Sequence, residues 1–98
     1  MRRVYSGKEI DSALCRKGFR RDDGHDHVFY FLSFANRRDT GIKTKISHGM
    51  MGQTIGAGLI SLMARQLHLT KSQFLDFIDC TVSEEDYRTI LRELNETV

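Results

Sequence analysis

Two closely spaced histidines, His25 and His27, are the residues of this chain best suited to move protons. Asp26 separates them, and an aromatic stretch follows. An imidazole titrates near neutral pH, so it can accept and donate a proton within one reaction. The same three residues also suit a plain polar turn, and their types alone leave both interpretations open.

Basic side chains suited to neutralising a phosphate lie near these histidines in the sequence. Lys43 and Lys45 alternate with apolar or threonine side chains over residues 42–46, so in a strand both lysines share one face. The further candidates for phosphate contacts are Lys8, Arg20, Arg21 and His48. His48 is also suited to hydrogen-bonding a loop carbonyl, and solvated surface positions are the alternative for each basic residue.

A helix over residues 6–17 is the first element expected to position these side chains. Ser6 and Glu9 have the spacing of a capping box, in which each side chain bonds the other residue's backbone N–H. Ile10 and Leu14 mark the apolar face, and Gly18 is typical of the residue that follows a helix.

Three strands are predicted next, over residues 19–21, 27–34 and 42–46, separated by a turn at 22–24 and a polar loop at 35–41. The second strand is apolar on both faces, where His27, Phe29, Phe31 and Ser33 alternate with Val28, Tyr30, Leu32 and Phe34. We expect one face to pack on helices. Part of the other face is expected to serve self-association or a protein partner.

The remaining sequence predicts three helices. The first runs from an N-cap at Thr54 to Leu67, with inward positions at Ile55, Leu59, Leu62 and Met63 and with Gly56 and Gly58 packed closely on the sheet. The second begins with a capping box at Thr70, and the third is capped by Ser83.

This order predicts an α+β two-layer sandwich, with a three-stranded antiparallel meander and helices on one face (α-β-β-β-α), plus two short C-terminal helices. It matches the double-stranded-RNA-binding fold. We expect a single domain over residues 1–98, with a core at about 5–80 and a C-terminal helical extension at 81–98.

Composition and charge narrow the class of protein. With 40% hydrophobic and 29% charged residues, the chain is typical of a globular domain. Residues 1–45 hold eleven Lys/Arg and six Asp/Glu, whereas residues 46–98 hold four and seven, which suggests one surface that faces a polyanion. No apolar stretch suits a membrane span or a secretory signal, so we expect a cytoplasmic protein. Cys15 and Cys80 are expected to be buried, reduced thiols.

The chain resembles the HicA-like family of toxin ribonucleases, the mRNA interferases of toxin–antitoxin pairs. The family's helix begins with a Ser-Gly-Lys-Glu-like motif, which residues 6–9 match, and a Gly-Phe pair follows, which Gly18 and Phe19 match. A Gly-Ser-His motif then opens the second strand, where this chain has Gly24-His25-Asp26-His27. The resemblance covers residues 5–80, in short motifs.

The resemblance implies a metal-independent endoribonuclease without a cofactor, which acts on mRNA and is held in check by a HicB-like antitoxin. Alignment on the aromatic strand assigns the catalytic role to His27, while His25 lies within reach of the same pocket and His48 matches a family histidine near this position. Two other hypotheses are a non-catalytic RNA-binding module of the same fold and an oligomerising interaction protein. Zinc binding by the three histidines is a weaker hypothesis, because their spacing matches no zinc signature.

Overall fold

A computed structural model describes residues 4–24, 26–33, 38–79 and 81–94. Within these residues lie one three-stranded antiparallel sheet and four α-helices. The elements are α1 (Gly7–Arg16), β1 (Phe19–Asp22), β2 (His27–Ser33), β3 (Asp39–Ser47), a 3₁₀ turn (His48–Met50), α2 (Ala57–Gln66), α3 (Lys71–Ile78) and α4 (Glu84–Glu93). The predicted α+β class and the antiparallel meander, in the order β1-β2-β3, are confirmed.

The two faces of β2 differ in burial. Val28, Tyr30 and Leu32 are fully buried, whereas the residues between them are half-buried. The buried face joins side chains of all four helices in one hydrophobic core. The alternation of β2 therefore exposes the face that begins with His27 and directs the other face into the core.

The helix caps follow the sequence closely. The Glu9 N–H donates to Ser6 Oγ at 3.2 Å, and the Ser6 N–H donates to Glu9 Oε1 at 2.9 Å. Equivalent capping boxes open α3 at Thr70 and α4 at Ser83. Gly18 follows α1 with φ of +88°, a conformation that glycine adopts without the strain of a side chain.

The prediction for α2 was wrong in its start and at Leu62, whereas Ile55 and Met63 are buried as expected. The helix begins at Ala57 because Thr54 forms a β-bridge with Ser6 and does not cap the helix. The buried face of α2 carries Ile60, Met63 and Ala64, and Leu62 is left 44% exposed. Leu59 is only partly buried, and Gly56 and Gly58 face open space, so the expected close packing of these glycines is absent.

Cys15 is exposed, which corrects the prediction that it is buried. The buried face of α1 carries Ile10, Ala13 and Leu14, and position 15 falls outside it. Cys80 lies outside the described residues.

Lys17, by contrast, is buried although its type favours the surface. Its Nζ donates to the main-chain oxygens of Phe77 and Val82, the latter at 2.6 Å, and lies 4.6 Å from the Phe77 ring centroid. These contacts join the end of α1 to the last turn of α3 and to the segment that follows it.

Helix α4 contributes to the same core. Tyr87 and Leu91 are fully buried, and the Tyr87 ring lies 6.0 Å from the Phe19 ring and 4.7 Å from the Phe77 ring. The Tyr87 hydroxyl donates to the Leu67 carbonyl at 2.9 Å. None of the helices in the described residues has the length and apolar character needed to cross a bilayer.

Candidate nucleic-acid interface

One side of the sheet, here called the open face, carries partly or fully exposed basic and aromatic side chains. Its members are Arg20 on β1, His27, Phe29 and Phe31 on β2, and Lys43 and Lys45 on β3. Strand register brings them together, because residues paired across an antiparallel sheet project to the same side. Arg20 is opposite Phe31, Phe31 is opposite Lys43, and Phe29 is opposite Lys45.

The aromatic side chains of β2 form a continuous row. The Phe29 and Phe31 rings are nearly parallel, with an interplanar angle of 21° and centroids 6.0 Å apart. The His27 ring lies 6.5 Å from Phe29, edge to face. At the other end, Arg20 Cζ lies 4.5 Å from the Phe31 ring centroid, a cation–π arrangement. The row therefore offers flat rings flanked by an imidazole at one end and a guanidinium at the other.

The lysines lie on one side of this row. Lys43 and Lys45 are both exposed on β3, and neighbouring strands are about 4.8 Å apart. On the other side of the row, Asp22 of β1 is paired with Phe29. The Asp22 carboxylate accepts a hydrogen bond from the Gly24 N–H at 3.0 Å. The β3 side of the row thus carries two positive charges, whereas the β1 side carries Arg20 and, at its end, the negative Asp22.

His27 lies where two surface hollows meet. The larger has a volume of about 420 Å³ and is lined by Asp26, His27, Phe29, Phe31 and Lys43. The smaller, about 130 Å³, is lined by His27, Lys45, Ser47, Met50, Leu59, Leu62 and Gln66. The imidazole therefore has a lysine in each hollow, which is the charge environment that a reacting phosphate requires.

Two of the predicted phosphate contacts lie elsewhere. Arg21 follows Arg20 along β1 and so projects to the opposite side, where its Nε donates to Asp11 at 2.7 Å and its Nη1 donates to Asp23 at 2.8 Å. These hydrogen bonds raise the pKa of Arg21, and the guanidinium is committed to protein carboxylates. Lys8 lies on α1 and lines a hollow with Arg16 that includes no residue of the open face.

The same cluster holds a buried tyrosine. Tyr30 is fully buried, and its hydroxyl donates to the Asp11 carboxylate that also accepts from Arg21. Burial, and then the hydrogen bond to Asp11, raise the pKa of Tyr30. The hydrogen bonds from Arg21 and Tyr30 to Asp11 therefore join the sheet to α1.

The other histidines have different positions. His48 is exposed, opens the 3₁₀ turn after β3, and directly follows Ser47, the residue paired with His27. His25 lies outside the described residues. Among the described residues, no group of three His, Cys, Asp or Glu side chains could hold a metal ion.

Comparisons with protein-family models, with curated proteins and with solved structures find no match for this chain. The resemblance to the HicA-like toxins therefore depends on the short motifs at residues 6–9, 18–19 and 24–27.

Sequence reasoning named the basic residues and the histidine of the open face, and it expected part of one face of β2 to serve self-association or a protein partner, without deciding that this face carries Phe29 and Phe31. The alternation shows that Phe29 and Phe31 share a face of β2. Which side was exposed depended on packing with the helices, which the alternation alone does not reveal.

Proposed function

We propose that this protein is a small RNA-binding endoribonuclease of the HicA-like type, which works on the open face with His27 as the group that moves protons. The observation that carries the proposal is the position of His27: it ends the aromatic row and lines a hollow with Lys43 and another with Lys45. The proposal includes mRNA as the substrate, a dsRBD-like helix arrangement and action in the cytoplasm.

The reaction is a transesterification within the RNA. The His27 imidazole accepts the proton of a 2′-hydroxyl, the 2′-oxygen forms a bond to the adjacent phosphorus, and the bond from phosphorus to the 5′-oxygen breaks. The departing 5′-oxygen takes up a proton, for which His48 is the assigned donor, one residue beyond the partner of His27. Lys43 and Lys45 stabilise the charge that develops on the phosphate oxygens. The nucleophile belongs to the substrate, so the reaction needs no metal.

The nature of the cleaved ends tests this reaction. Cleavage by the 2′-hydroxyl leaves a 2′,3′-cyclic phosphate and a 5′-hydroxyl, and a single 2′-deoxy substitution at the cleaved nucleotide blocks cleavage there. Products with a 5′-phosphate and a 3′-hydroxyl would refute the mechanism. Loss of activity in His25→Ala, with His27→Ala fully active, would move the catalytic role to the other histidine.

A non-catalytic RNA-binding module is the second candidate function. The observation that favours it is the altered motif, Gly24-His25-Asp26-His27, in a chain whose open face still carries the full basic and aromatic row. RNA that binds but is not cleaved would select this function. On either proposal, a HicB-like antitoxin that covers the open face would block the RNA.

A further inference from the structure

The aromatic row distinguishes the open face from a surface built to hold a duplex. Proteins recognise double-stranded RNA chiefly by its shape, through phosphates and 2′-hydroxyls, which calls for polar and basic groups. Here Phe29 and Phe31 are half-buried and present nearly parallel rings on the face of β2 opposite to Val28, Tyr30 and Leu32, which enter the core. Unpaired bases stack on such rings, whereas the bases of a duplex are already stacked on one another.

The charges beside the row indicate the path of a strand. Each phenylalanine has a lysine opposite it on β3, so one ring and one cation repeat along the face with the period of the strand. On the β1 side, Asp22 lies opposite Phe29 and Arg20 lies opposite Phe31, so that side carries one charge of each sign, whereas β3 carries two cations. A nucleic acid strand on this face therefore has its phosphates along Lys43 and Lys45 and its bases over β2.

Arg20 completes the row at the end away from His27. Its guanidinium lies over one face of the Phe31 ring, 4.5 Å from the centroid, so a base at this end stacks on the outer side of the guanidinium or on the ring face that Arg20 leaves open. A strand that passes Arg20, Phe31 and Phe29 in turn brings the next phosphate to His27.

We propose that the open face selects single-stranded RNA by stacking two successive unpaired bases on Phe31 and Phe29, with the phosphates held by Lys43 and Lys45. This inference rests on the proposed function, because it names the substrate class of the same site. It places the cleaved bond beside the base stacked on Phe29, next to His27. The aromatic pair supplies the selectivity for single strands, and the lysines supply affinity without regard to base.

Binding to an uncleavable RNA tests the inference separately from cleavage. Fluorescence anisotropy compares a short 2′-O-methylated single strand with the same strand annealed to its complement. The variants are Phe29→Leu and Phe31→Leu, which keep an apolar side chain but remove the flat ring. Leu94→Ala is the control, since Leu94 is 53% exposed at the end of α4 and lies outside the open face. Circular dichroism spectra confirm that each variant is folded.

We expect each leucine variant to bind the single strand roughly 10-fold more weakly or worse, the usual effect of losing one stacked base. The duplex binds more weakly than the single strand, and its affinity is the same for the parent, the variants and the control. Leucine variants that bind the single strand as tightly as the parent, or a duplex that binds as tightly as the single strand, would overturn the inference.

Two further results separate this inference from the proposed function. Ring-dependent binding of the single strand by a protein that does not cleave unmodified RNA supports the inference and refutes the ribonuclease. Cleavage that Phe29→Leu and Phe31→Leu leave unchanged refutes the inference and leaves the ribonuclease in place. Analytical ultracentrifugation tests whether a second copy of the chain occupies the open face. A dimer that dissociates in the Phe31→Leu variant, and that persists when RNA is added to the parent, would overturn the inference.

Discussion

Removing both lysines of the open face changes how RNA binding responds to salt. Each phosphate contact on a single strand contributes about 0.7 to the slope of log affinity against log salt, because neutralising the phosphate releases a counterion. Lys43→Ala and Lys45→Ala together remove two exposed cations on one side of β3. The slope of the double variant is therefore shallower by about 1.4, and between about 50 and 200 mM salt its affinity falls about 7-fold less than that of the parent.

The assay is a salt titration of binding to an uncleavable single strand, followed by fluorescence anisotropy. The matched control is Lys71→Ala with Arg92→Ala, which lowers the net charge equally but at exposed positions on α3 and α4. The control keeps the slope of the parent, because its cations lie outside the open face. Equal slopes for the parent and the Lys43 and Lys45 double variant would show that these lysines are merely solvated and refute their role.

Three further predictions concern the fold. Lys17→Met leaves two main-chain carbonyls without their donor and lowers the free energy of unfolding, measured in urea, by at least about 1 kcal/mol; an unchanged value contradicts this role. Gly7→Ala lowers the urea midpoint because its Cβ would lie 2.8 Å from the Met51 Cα, whereas Gly58→Ala, with open space around it, does not lower it. Burial raises the pKa of Tyr30 above its ordinary 10.0, so stability is retained below pH 10 and falls above it by about 1.4 kcal/mol per pH unit, as the unfolded chain loses the proton first. Urea unfolding at several pH values checks this fall, and the same fall in Tyr30→Phe would refute the assignment.

The features predicted most accurately from the sequence are those with local causes. The capping box at Ser6 and Glu9 depends on two side chains three residues apart, and the left-handed residue at Gly18 needs only a glycine after a helix. The shared face of Lys43 and Lys45 follows from the two-residue period of a strand. Such features need no knowledge of what packs against the element.

The features that the sequence did not predict have distant causes. Lys17 is buried because its carbonyl partners lie 60 and 65 positions further along the chain. Helix α2 begins later than predicted because Thr54 pairs with Ser6, a contact between distant parts of the chain.

The positions of the candidate site residues also depend on contacts with distant parts of the chain. Arg20 and Arg21 are adjacent arginines that the sequence does not distinguish. Strand register places Arg20 on the open face, whereas Arg21 projects to the other side and binds the carboxylate of Asp11. Both faces of β2 are apolar in sequence, so the sequence does not show which face the helices cover. In the structure they cover the face of Val28, Tyr30 and Leu32, which leaves Phe29 and Phe31 half-buried.

The single-turnover rate of cleavage of an unstructured RNA in EDTA tests the central claim most directly. The parent is compared with His27→Ala and with His68→Asn, a control whose exposed histidine has φ of +64°, a conformation that asparagine adopts readily. We expect cleavage by the parent and the control at equal rates, and a loss of at least about 100-fold in His27→Ala, the usual size of a general acid–base contribution. A folded His27→Ala variant that cleaves as fast as the parent would contradict the claim that the open face is the cleaving site.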